Sequence, residues 1–426
     1  MKRFTKMLLP LAMTALLVAG CGQKAEQPAS EPAETTQTQE AQEKEISFMI
    51  PDWGVPNEEL LAEFEKETGI KVNVNTVGWD DIRNKISTAA VGGEAAADVV
   101  EVDWSWAGEF HAADWLEPIT LSEEEIADMP SIAPFVIDGK VLAVPYANDY
   151  RIAYYNKDMF EKAGITSEPK TWDEVIAAAK ALKEKGIVKY PITMPMNADE
   201  SATTSMVWMA LSRNGVVFNE DGTLNKDSML DALTFVDQMV KDELIDPANQ
   251  SGSGMDAYRK ITAGEAAFMV GPTSFVSRVN DEKESTVVGQ VVPILLPGRT
   301  ATSDKTYALP EAIGISKLSK NKEAAEKFVK WYTSAQMQVK LNGTNNTIPT
   351  RNTVLQQLID DGTIKNSGAM LEQAKLIISP FTTGIPAYYS EMSNAMYNNI
   401  NSMVTGNATP EEAFNAMDAK IKELLK

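Results

Sequence analysis

The first folded segment of this chain alternates short apolar runs with amphipathic helical patterns, and this alternation limits the fold more than any other feature. The apolar runs are "ISFMI" (46–50), "IKVNVNTV" (70–77) and "DVVEV" (98–102). Between the first two, Asn57 suits a helix N-cap and Gly69 the residue that ends the helix. Strands joined by helical crossovers need a sheet covered on both faces. The pattern therefore predicts an α/β fold with a doubly wound, mainly parallel sheet.

An acidic residue and a tryptophan follow directly after the first and the third of these strands. The residues of the two loops are Asp52, Trp53, Asp103, Trp104, Ser105 and Trp106. In open α/β sheets a ligand lies beyond the carboxyl ends of the strands, where the strand order reverses. With strand order 2-1-3 the two loops would adjoin at one crevice. A carboxylate binds hydroxyl groups and an indole stacks on a pyranose ring, so the pairs favour a sugar site.

The alternative for these tryptophans is that they only pack in the core after each strand. Two further tryptophans, Trp79 and Trp115, stand in helical contexts, and we assign both to packing.

A short apolar run preceded by basic residues stands at the start of the chain. Met7 to Gly20 spans 14 residues, whereas a helix that crosses about 30 Å of hydrocarbon needs about 20. Basic, apolar and small residues in this order are typical of a secretory signal peptide, here residues 1–20. The "VAGC" motif resembles a bacterial lipobox. We therefore expect Cys21 to be lipidated and residues 21–45 to form a disordered linker; the alternative is ordinary cleavage with an incidental thiol.

The composition of the chain argues against several classes of function. Cys21 is the only cysteine and His111 the only histidine, so a cysteine-based metal site is excluded and a catalytic relay would depend on one histidine. The net charge of −21 argues against binding nucleic acid through phosphates. The motifs of P-loop proteins, HExxH zinc enzymes and GxSxG hydrolases do not occur. We expect no catalysis, no metal and no cofactor, and a neutral or cationic ligand.

A long stretch in the middle of the chain carries a family pattern. Residues 141–185 read "VLAVPYANDYRIAYYNKDMFEKAGITSEPKTWDEVIAAAKALKEK", in which Thr171 and Glu174 form a T-x-x-E capping box. Its "PY", "YNK", "KAGI" and "PKTWDEV" segments resemble the family 1 extracellular solute-binding proteins of ABC importers, the maltose-binding-protein type. Further matching segments are "TAGEAAFMVGP", "VPILLPG", "IGISKLSKNKEAAEKFVKWY", "TIPTR" and "TGNATPEEAFNAM". The resemblance covers residues 46–426.

This resemblance implies a two-lobed periplasmic-binding-protein-like fold, with doubly wound sheets, a crossover hinge and an interlobe ligand cleft. By analogy, the chain crosses between the lobes near 147–151, near 289–297 and after Ser334. The lobes are then expected to comprise 46–148 plus 290–334, and 149–289 plus 335–426. The implied protein is a monomer, anchored by lipid at the extracellular face of the cell membrane, and its partner is the transmembrane part of an ABC importer.

The resemblance also adds candidate ligand contacts outside the strand-end loops. They flank the first crossover, lie in the "MPMNADES" loop, or belong to a tyrosine pair near the C-terminal helices. These positions are Asn148, Asp149, Arg151, Asn197, Glu200 (or Asp199) and Tyr388 (or Tyr389). Two departures from the family pattern argue against a long glucan ligand. One is Thr273 directly after Gly-Pro, and the other is Leu309 to Ala312 before the "IS" strand.

Residues and resemblance together favour a receptor that captures a sugar or short oligosaccharide and delivers it to an importer. The alternative is the same scaffold binding a polyamine or another cationic solute, because tryptophan faces and carboxylates also suit a cation. A tethered glycoside hydrolase is less favoured; it would need two carboxylates about 5 to 10 Å apart.

Overall fold

The computed structural model describes residues 45–365, 368–381 and 384–426, which belong to one compact unit. The expected signal peptide, Cys21 and all but the last residue of the expected linker lie outside the described residues. Within the part that is described, no helix combines the length and the apolar character that crossing a membrane requires.

Strands and helices alternate at the start of the described chain, and its last part, the described residues of 322–424, contains helices but no strand. The strands are β1 Glu45–Ile50, β2 Lys71–Thr76, β3 Val99–Asp103, β4 Leu116–Glu117, β5 Val136–Ile137, β6 Lys140–Val141, β7 Val144–Ala147, β8 Arg151–Asn156, β9 Ile192–Thr193, β10 Phe268–Pro272, β11 Val291–Ile294 and β12 Glu311–Ser316. The helices are α1 Glu58–Thr68, α2 Trp79–Val91, α3 Ala107–Ala112, α4 Glu123–Asp128, α5 Lys157–Lys162, α6 Trp172–Glu184, α7 Glu200–Asn214, α8 Lys226–Lys241, α9 Gly254–Thr262, α10 Phe275–Arg278, α11 Lys322–Tyr332, α12 Ala335–Asn345, α13 Asn352–Asp360, α14 Gly368–Ala374, α15 Tyr389–Val404 and α16 Pro410–Leu424.

The first lobe is built on a sheet of order β2-β1-β3-β12-β4, with β7 also paired to β12. β1 runs parallel to both β2 and β3, so the predicted βαβαβ unit and its 2-1-3 order are confirmed. The first helix begins and ends where the sequence predicts. The Asn57 side chain accepts a hydrogen bond from the Leu60 N–H, and Gly69 takes the left-handed conformation at φ +73°. β12 returns antiparallel to β3.

The second lobe is built on a smaller sheet of order β11-β8-β10-β9. β8 lies between β10 and β11 and runs antiparallel to both. The capping box predicted from T-x-x-E is present at the start of α6, where the Thr171 hydroxyl and the Glu174 carboxylate bind each other's backbone N–H groups.

These two sheets place the lobe boundaries differently from the sequence expectation, in which the first lobe resumes over 290–334. β11 pairs with β8, so the chain re-enters the first sheet only at β12. At the other end, α12 still belongs to the first lobe, because Met337 and Leu341 pack in its core and Lys340 pairs with Glu63 of α1. An apolar run such as that of β11 predicts a strand but does not indicate which sheet the strand joins.

The segments that connect the lobes lie side by side. The first runs from β7 to β8, the second from β11 to β12, and the third from α12 to α13. The Leu309 N–H donates to the Asp149 carbonyl at 2.5 Å, and the Asn148 N–H donates to the Ile348 carbonyl at 2.8 Å. The Thr273 hydroxyl also donates to the Asn148 carbonyl, at 3.2 Å. These bonds tie the crossovers into one hinge region.

The two lobes touch each other across the cleft in this structure. The Trp104 ring of the first lobe meets the Tyr389 ring of the second edge to face, with centroids 5.0 Å apart. Gly108 in α3 lies directly against the backbone of residues 385–387, where an added Cβ would be 2.3 Å from the Ile385 carbonyl oxygen. The arrangement is therefore closed.

Candidate functional site

Two short 3-10 helices carry the first lobe's candidate residues at the carboxyl ends of neighbouring strands. Asp52–Gly54 follows β1, and Trp104–Trp106 follows β3. Asp103 caps the second of them, accepting hydrogen bonds from the Ser105 N–H at 2.8 Å and from its hydroxyl at 2.5 Å. Because β1 and β3 pair with each other, both loops lie at the same edge of the sheet.

Asp103 lies buried beside a cluster of aromatic rings. Its Oδ2 atom is 3.3 Å from the indole nitrogen of Trp79, which donates to it. The Trp79 ring lies 5.1 Å from the Trp106 ring, which in turn packs on Phe110. Burial raises the pKa of Asp103 to about 6, and the charge of Asp149 adds to the rise, although the hydrogen bonds oppose it. Asp103 is therefore a carboxylate with little hydration, a state that favours binding a hydrogen-bond donor.

Trp53 is the exposed aromatic residue of the first loop, with 39% of its surface accessible. Its indole N–H donates to Glu311 Oε2 at 2.6 Å, and the Tyr146 hydroxyl donates to the same oxygen at 3.0 Å. Burial raises the pKa of Glu311 to about 8; the charges of Asp103 and Asp149 add to the rise, and both hydrogen bonds oppose it. The hydrogen bond holds the indole in one orientation, which suits stacking on a ligand ring.

The first crossover supplies a second group of polar side chains. Arg151 pairs with Asp149 at 2.6 Å, and its guanidinium lies 5.8 Å from the centre of the Tyr258 ring. Four buried polar atoms here have no hydrogen-bond partner among the described residues: Asn148 Oδ1, Asp149 Oδ1, Arg151 Nε and the Tyr258 hydroxyl. Buried polar groups in folded proteins are normally satisfied, so these atoms are candidates to bind a ligand.

The second lobe contributes Glu200, the first residue of α7. Its carboxylate accepts hydrogen bonds from the Tyr389 hydroxyl at 2.6 Å and from the Ser393 hydroxyl. Burial raises the pKa of Glu200 to about 8, with the charges of Asp103 and Asp199 adding to the rise and both hydrogen bonds opposing it. Since Tyr389 also contacts Trp104, this hydrogen-bonded group links the second lobe to the end of β3.

These carboxyl groups make the closed arrangement sensitive to pH. An unfolded glutamate titrates near 4.5, whereas Glu200 and Glu311 titrate near 8 in this structure. Between these values the folded state holds more protons than the unfolded state, so the free energy of unfolding decreases as pH rises through this window. The free energy of opening the cleft should also decrease as pH rises, because separation of the lobes would hydrate these carboxyl groups.

The structure brings many of the predicted residues together. Hydrogen bonds, ring contacts or charge effects connect Trp53, Asp103, Trp104, Ser105, Trp106, Asp149, Arg151 and Glu200, and Asn148 adjoins them in the crossover. Asp52 is exposed at the start of its 3-10 helix. Asn197 donates a hydrogen bond to Asp199, which caps α7 by accepting from the Ser201 N–H.

Tyr388, which was expected to contact the ligand, and its neighbour Tyr389 have different surroundings. A Cβ built on Gly222 would be 3.7 Å from the Tyr388 hydroxyl and 3.0 Å from Leu425, so this tyrosine faces the C-terminal helix. Tyr389 instead binds Glu200 and packs on Trp104. The two residues are adjacent, and which of them faces the cleft depends on where α15 begins.

Several residues at this site were missed by sequence reasoning. Trp79 was assigned to packing, but it also donates to Asp103. Glu311 appeared only as part of a departure from the family pattern, although it binds both Trp53 and Tyr146. Glu311 had no local signal in the sequence, since it stands at the amino end of β12 and reaches the carboxyl end of β3 only because the two strands pair antiparallel.

Fold and site together define a class of protein: two α/β lobes that close on a small molecule held between strand-end loops and a crossover hinge. Residues 54–339 match the family of bacterial extracellular solute-binding proteins, and the chain belongs to that family. It is thus a solute-binding protein of ABC transporters, a class without catalytic activity. In the described part of the chain, no cluster of histidine, cysteine or acidic side chains suits a metal ion.

Individual relatives agree with this class. A binding protein of Brucella abortus is 26% identical over 377 residues, which cover 87% of this chain and 89% of that protein. A protein of Sinorhizobium fredii, named as a probable amino-acid ABC transporter periplasmic-binding protein, is 22% identical, with 86% and 85% covered. The solved structure of maltose-bound MalE3 of T. maritima superposes with a TM-score of 0.78 at 25% identity, covering 89% of this chain and 99% of that one.

Proposed function

We propose that this protein captures a sugar or short oligosaccharide in the cleft between its lobes and delivers it to the permease of an ABC importer. The observation that carries the proposal is the joint presence of an oriented, exposed indole at Trp53, a buried carboxyl group at Asp103 and a half-buried carboxyl group of the second lobe at Glu200. Carboxylates accept hydrogen bonds from sugar hydroxyls, and an indole face stacks on the apolar face of a pyranose. The similarity to a maltose-bound structure supports the same substrate class.

In the proposed mechanism the sugar first binds one lobe and then stabilises the closed arrangement. Ligand shifts the hinge equilibrium only by its difference in affinity between the closed and the open state. Residues of the second lobe, such as Glu200, therefore contribute most when they contact the sugar only after closure. The closed, loaded protein is the form that the permease would receive.

The proposed location is the extracellular face of the cell membrane. Residues 1–20 would be removed as a signal peptide, Cys21 would carry the lipid, and residues up to 45 would act as a spacer. Two acyl chains give stable anchoring where one is marginal. We propose that the protein works as a monomer, since one chain supplies both sides of the cleft.

Thermal unfolding of residues 45–426 with a panel of sugars and oligosaccharides tests the proposed function. A ligand at 100 times its dissociation constant adds about 2.7 kcal/mol to the free energy of unfolding. We expect at least one carbohydrate of the panel to raise the transition temperature. Absence of any carbohydrate effect contradicts the proposal, and cleavage of a bound oligosaccharide during long incubation would favour the glycoside hydrolase instead.

A cationic solute such as a polyamine is the second candidate. It is favoured by the buried carboxyl groups around Asp103, of which Glu200 and Glu311 have no ion pair in the described residues. A polyamine has no ring to stack on Trp53, however, so we rank it below a carbohydrate. Including spermidine in the panel separates the two candidates.

A further inference from the structure

Four carboxyl groups from four separate segments lie close together at the cleft. Asp103 ends β3, Glu311 begins β12, Asp149 lies in the first crossover and Glu200 begins α7. Glu311 is the register partner of Asp103 across the sheet. The charge of Asp103 raises the pKa of both glutamates, and the charge of Asp149 raises the pKa of Asp103. Glu200 is joined to this group through Tyr389, whose hydroxyl donates to Glu200 and whose ring packs on Trp104, the residue after Asp103.

Positive charge from the protein does not balance this group. Within the described residues, only Asp149 of the four has an ion pair, with Arg151 at 2.6 Å. Indole, hydroxyl and backbone N–H groups hold the other three. Neutral donors satisfy hydrogen-bond acceptors but do not offset a negative charge, so burial raises the pKa of Glu200 and of Glu311 to about 8 and favours their protonated form.

Unpartnered polar atoms beside this group point independently to a bound molecule. Asn148 Oδ1 and Asp149 Oδ1 are buried acceptors without a donor among the described residues. Arg151 is 5% exposed, and its guanidinium Nε has no hydrogen-bond partner among the described residues. Tyr258 is 4% exposed, and its hydroxyl group likewise has no such partner. A ligand that fits this site must bring several donors together with acceptor oxygens.

A neutral sugar and an amine-bearing sugar would differ in how they complete this site. The hydroxyls of a neutral sugar provide donors and acceptors but no charge, so closure leaves the carboxyl groups either ionised without hydration or protonated. An ammonium group provides three N–H donors and a positive charge in the same place. A cation would therefore allow the glutamates to ionise in the closed cleft, whereas a neutral sugar leaves them protonated.

We propose that the solute is an amine-bearing carbohydrate, whose ammonium group lies near Asp103 between Glu200 and Glu311 and whose ring stacks on Trp53. This inference rests on the proposed carbohydrate-binding function and adds the class of sugar. A polyamine carries the same ammonium group without the sugar ring, so the test includes both amine-bearing sugars and a polyamine.

Matched ligand pairs test the proposal by thermal unfolding and titration calorimetry. The pairs are glucosamine with glucose, galactosamine with galactose, and the chitosan disaccharide with cellobiose; spermidine is the ring-free amine. At about pH 6.5 a sugar amine is protonated if its pKa lies near the α-amino value of about 7.7–8.0. We expect at least one amine-bearing member to bind about tenfold or more tightly than its neutral partner, which corresponds to about 1.4 kcal/mol.

Proton release gives a second readout of the same binding event. The acidic groups that influence each other here are Glu200, Asp199, Asp103, Asp149, Glu311 and the fully buried Glu101 of β3, with the hydroxyls of Tyr146, Tyr258, Tyr307, Tyr332 and Tyr389 and the cation of Arg151 around them. An ammonium ligand would displace protons from the two glutamates. Calorimetry in two buffers of different ionisation enthalpy should therefore show protons released with the amine-bearing sugar only.

Charge-removing variants locate the ammonium group. Glu200→Gln and Glu311→Gln keep the side-chain size, and each should reduce the preference for the amine-bearing partner by about threefold or more. Glu67→Gln, an exposed glutamate of α1, is the matched control and should leave the preference unchanged.

Each remaining outcome contradicts one of the two proposals. Equal binding of a neutral partner, or a preference that persists in both glutamine variants, overturns the amine-bearing class while the carbohydrate function stands. Binding of spermidine with no sugar bound overturns the carbohydrate function itself. No binding by any member of the panel overturns both.

Discussion

Trp53 and Trp106 stand in the loops that follow two neighbouring strands, yet their side chains have different surroundings. Trp53 is 39% exposed, and its indole N–H donates to Glu311. Trp106 is 3% exposed and packs against the rings of Trp79 and Phe110. The packing alternative considered for these tryptophans thus describes Trp106 in the closed arrangement but not Trp53.

Alanine substitutions at these two positions should separate binding from folding. Trp53→Ala removes a stacking surface and little buried area, so we expect weaker sugar binding with a change in unfolding free energy below about 1 kcal/mol. Trp106→Ala creates a cavity and should cost about 3–5 kcal/mol. Denaturant unfolding and calorimetry of both variants measure the two effects. A large stability loss with Trp53→Ala, or none with Trp106→Ala, would contradict the assignment.

At the level of single residues, the sequence predicted the side chains that directly follow strands better than those that reach the site from elsewhere. Asp103 and Trp53 were found because strand ends are visible as the end of an apolar run. Glu311 and Trp79 were not, because their contacts depend on β12 lying beside β3 and on the start of α2 lying near the end of β3. Pairing between distant segments is a tertiary property that local pattern does not encode.

Among the elements, α3 carries a close backbone contact between the lobes. Gly108 sits in this helix, and a Cβ there would clash with the Ile385 carbonyl oxygen at 2.3 Å and approach the backbone of Pro386 and Ala387. A glycine in a helix costs about 0.5–1 kcal/mol relative to alanine. The position of Gly108 suggests that this cost is offset by close approach of the lobes.

We predict that Gly108→Ala weakens sugar binding at least tenfold without lowering the stability of the first lobe, since the added methyl group opposes closure while favouring the helix. Gly343→Ala is the matched control, because Gly343 lies in α12 with nothing within 4 Å of an added Cβ. It should leave affinity unchanged. Calorimetry and thermal unfolding measure both variants, and unchanged affinity in Gly108→Ala would show that this contact does not limit closure.

Secondary structure was predicted well where local chemistry determines it. The caps at Asn57 and Thr171 follow from side-chain hydrogen bonding, and the first three strands and the helices between them follow from the hydrophobic period. Assignment of elements to lobes was weaker, because β11 and α12 are ordinary apolar and amphipathic segments whose partners lie far away in the chain. The resemblance to the family indicated two lobes, but it did not locate the second and third crossovers correctly.

On the scale of the whole molecule, the described chain is held in one closed arrangement by contacts of several kinds. Ring packing of Trp104 on Tyr389 and backbone contact at Gly108 join the lobes, while hydrogen-bonded crossovers form the hinge. The same closure buries carboxyl groups whose pKa values rise as a result. Closure without a ligand therefore has an electrostatic cost, and a bound solute is expected to offset it.

Ligand-driven closure is the central claim, and the distance between the lobes tests it most directly. Cys21 is the only cysteine, so Cys21→Ser allows specific labels at Val91→Cys and Asn398→Cys, exposed positions on α2 and α15. These helices border the same interlobe groove. With the tightest-binding sugar of the panel, the label distance should shorten and its distribution should narrow. A sugar that raises the unfolding temperature while the distance distribution stays the same would contradict closure on the ligand.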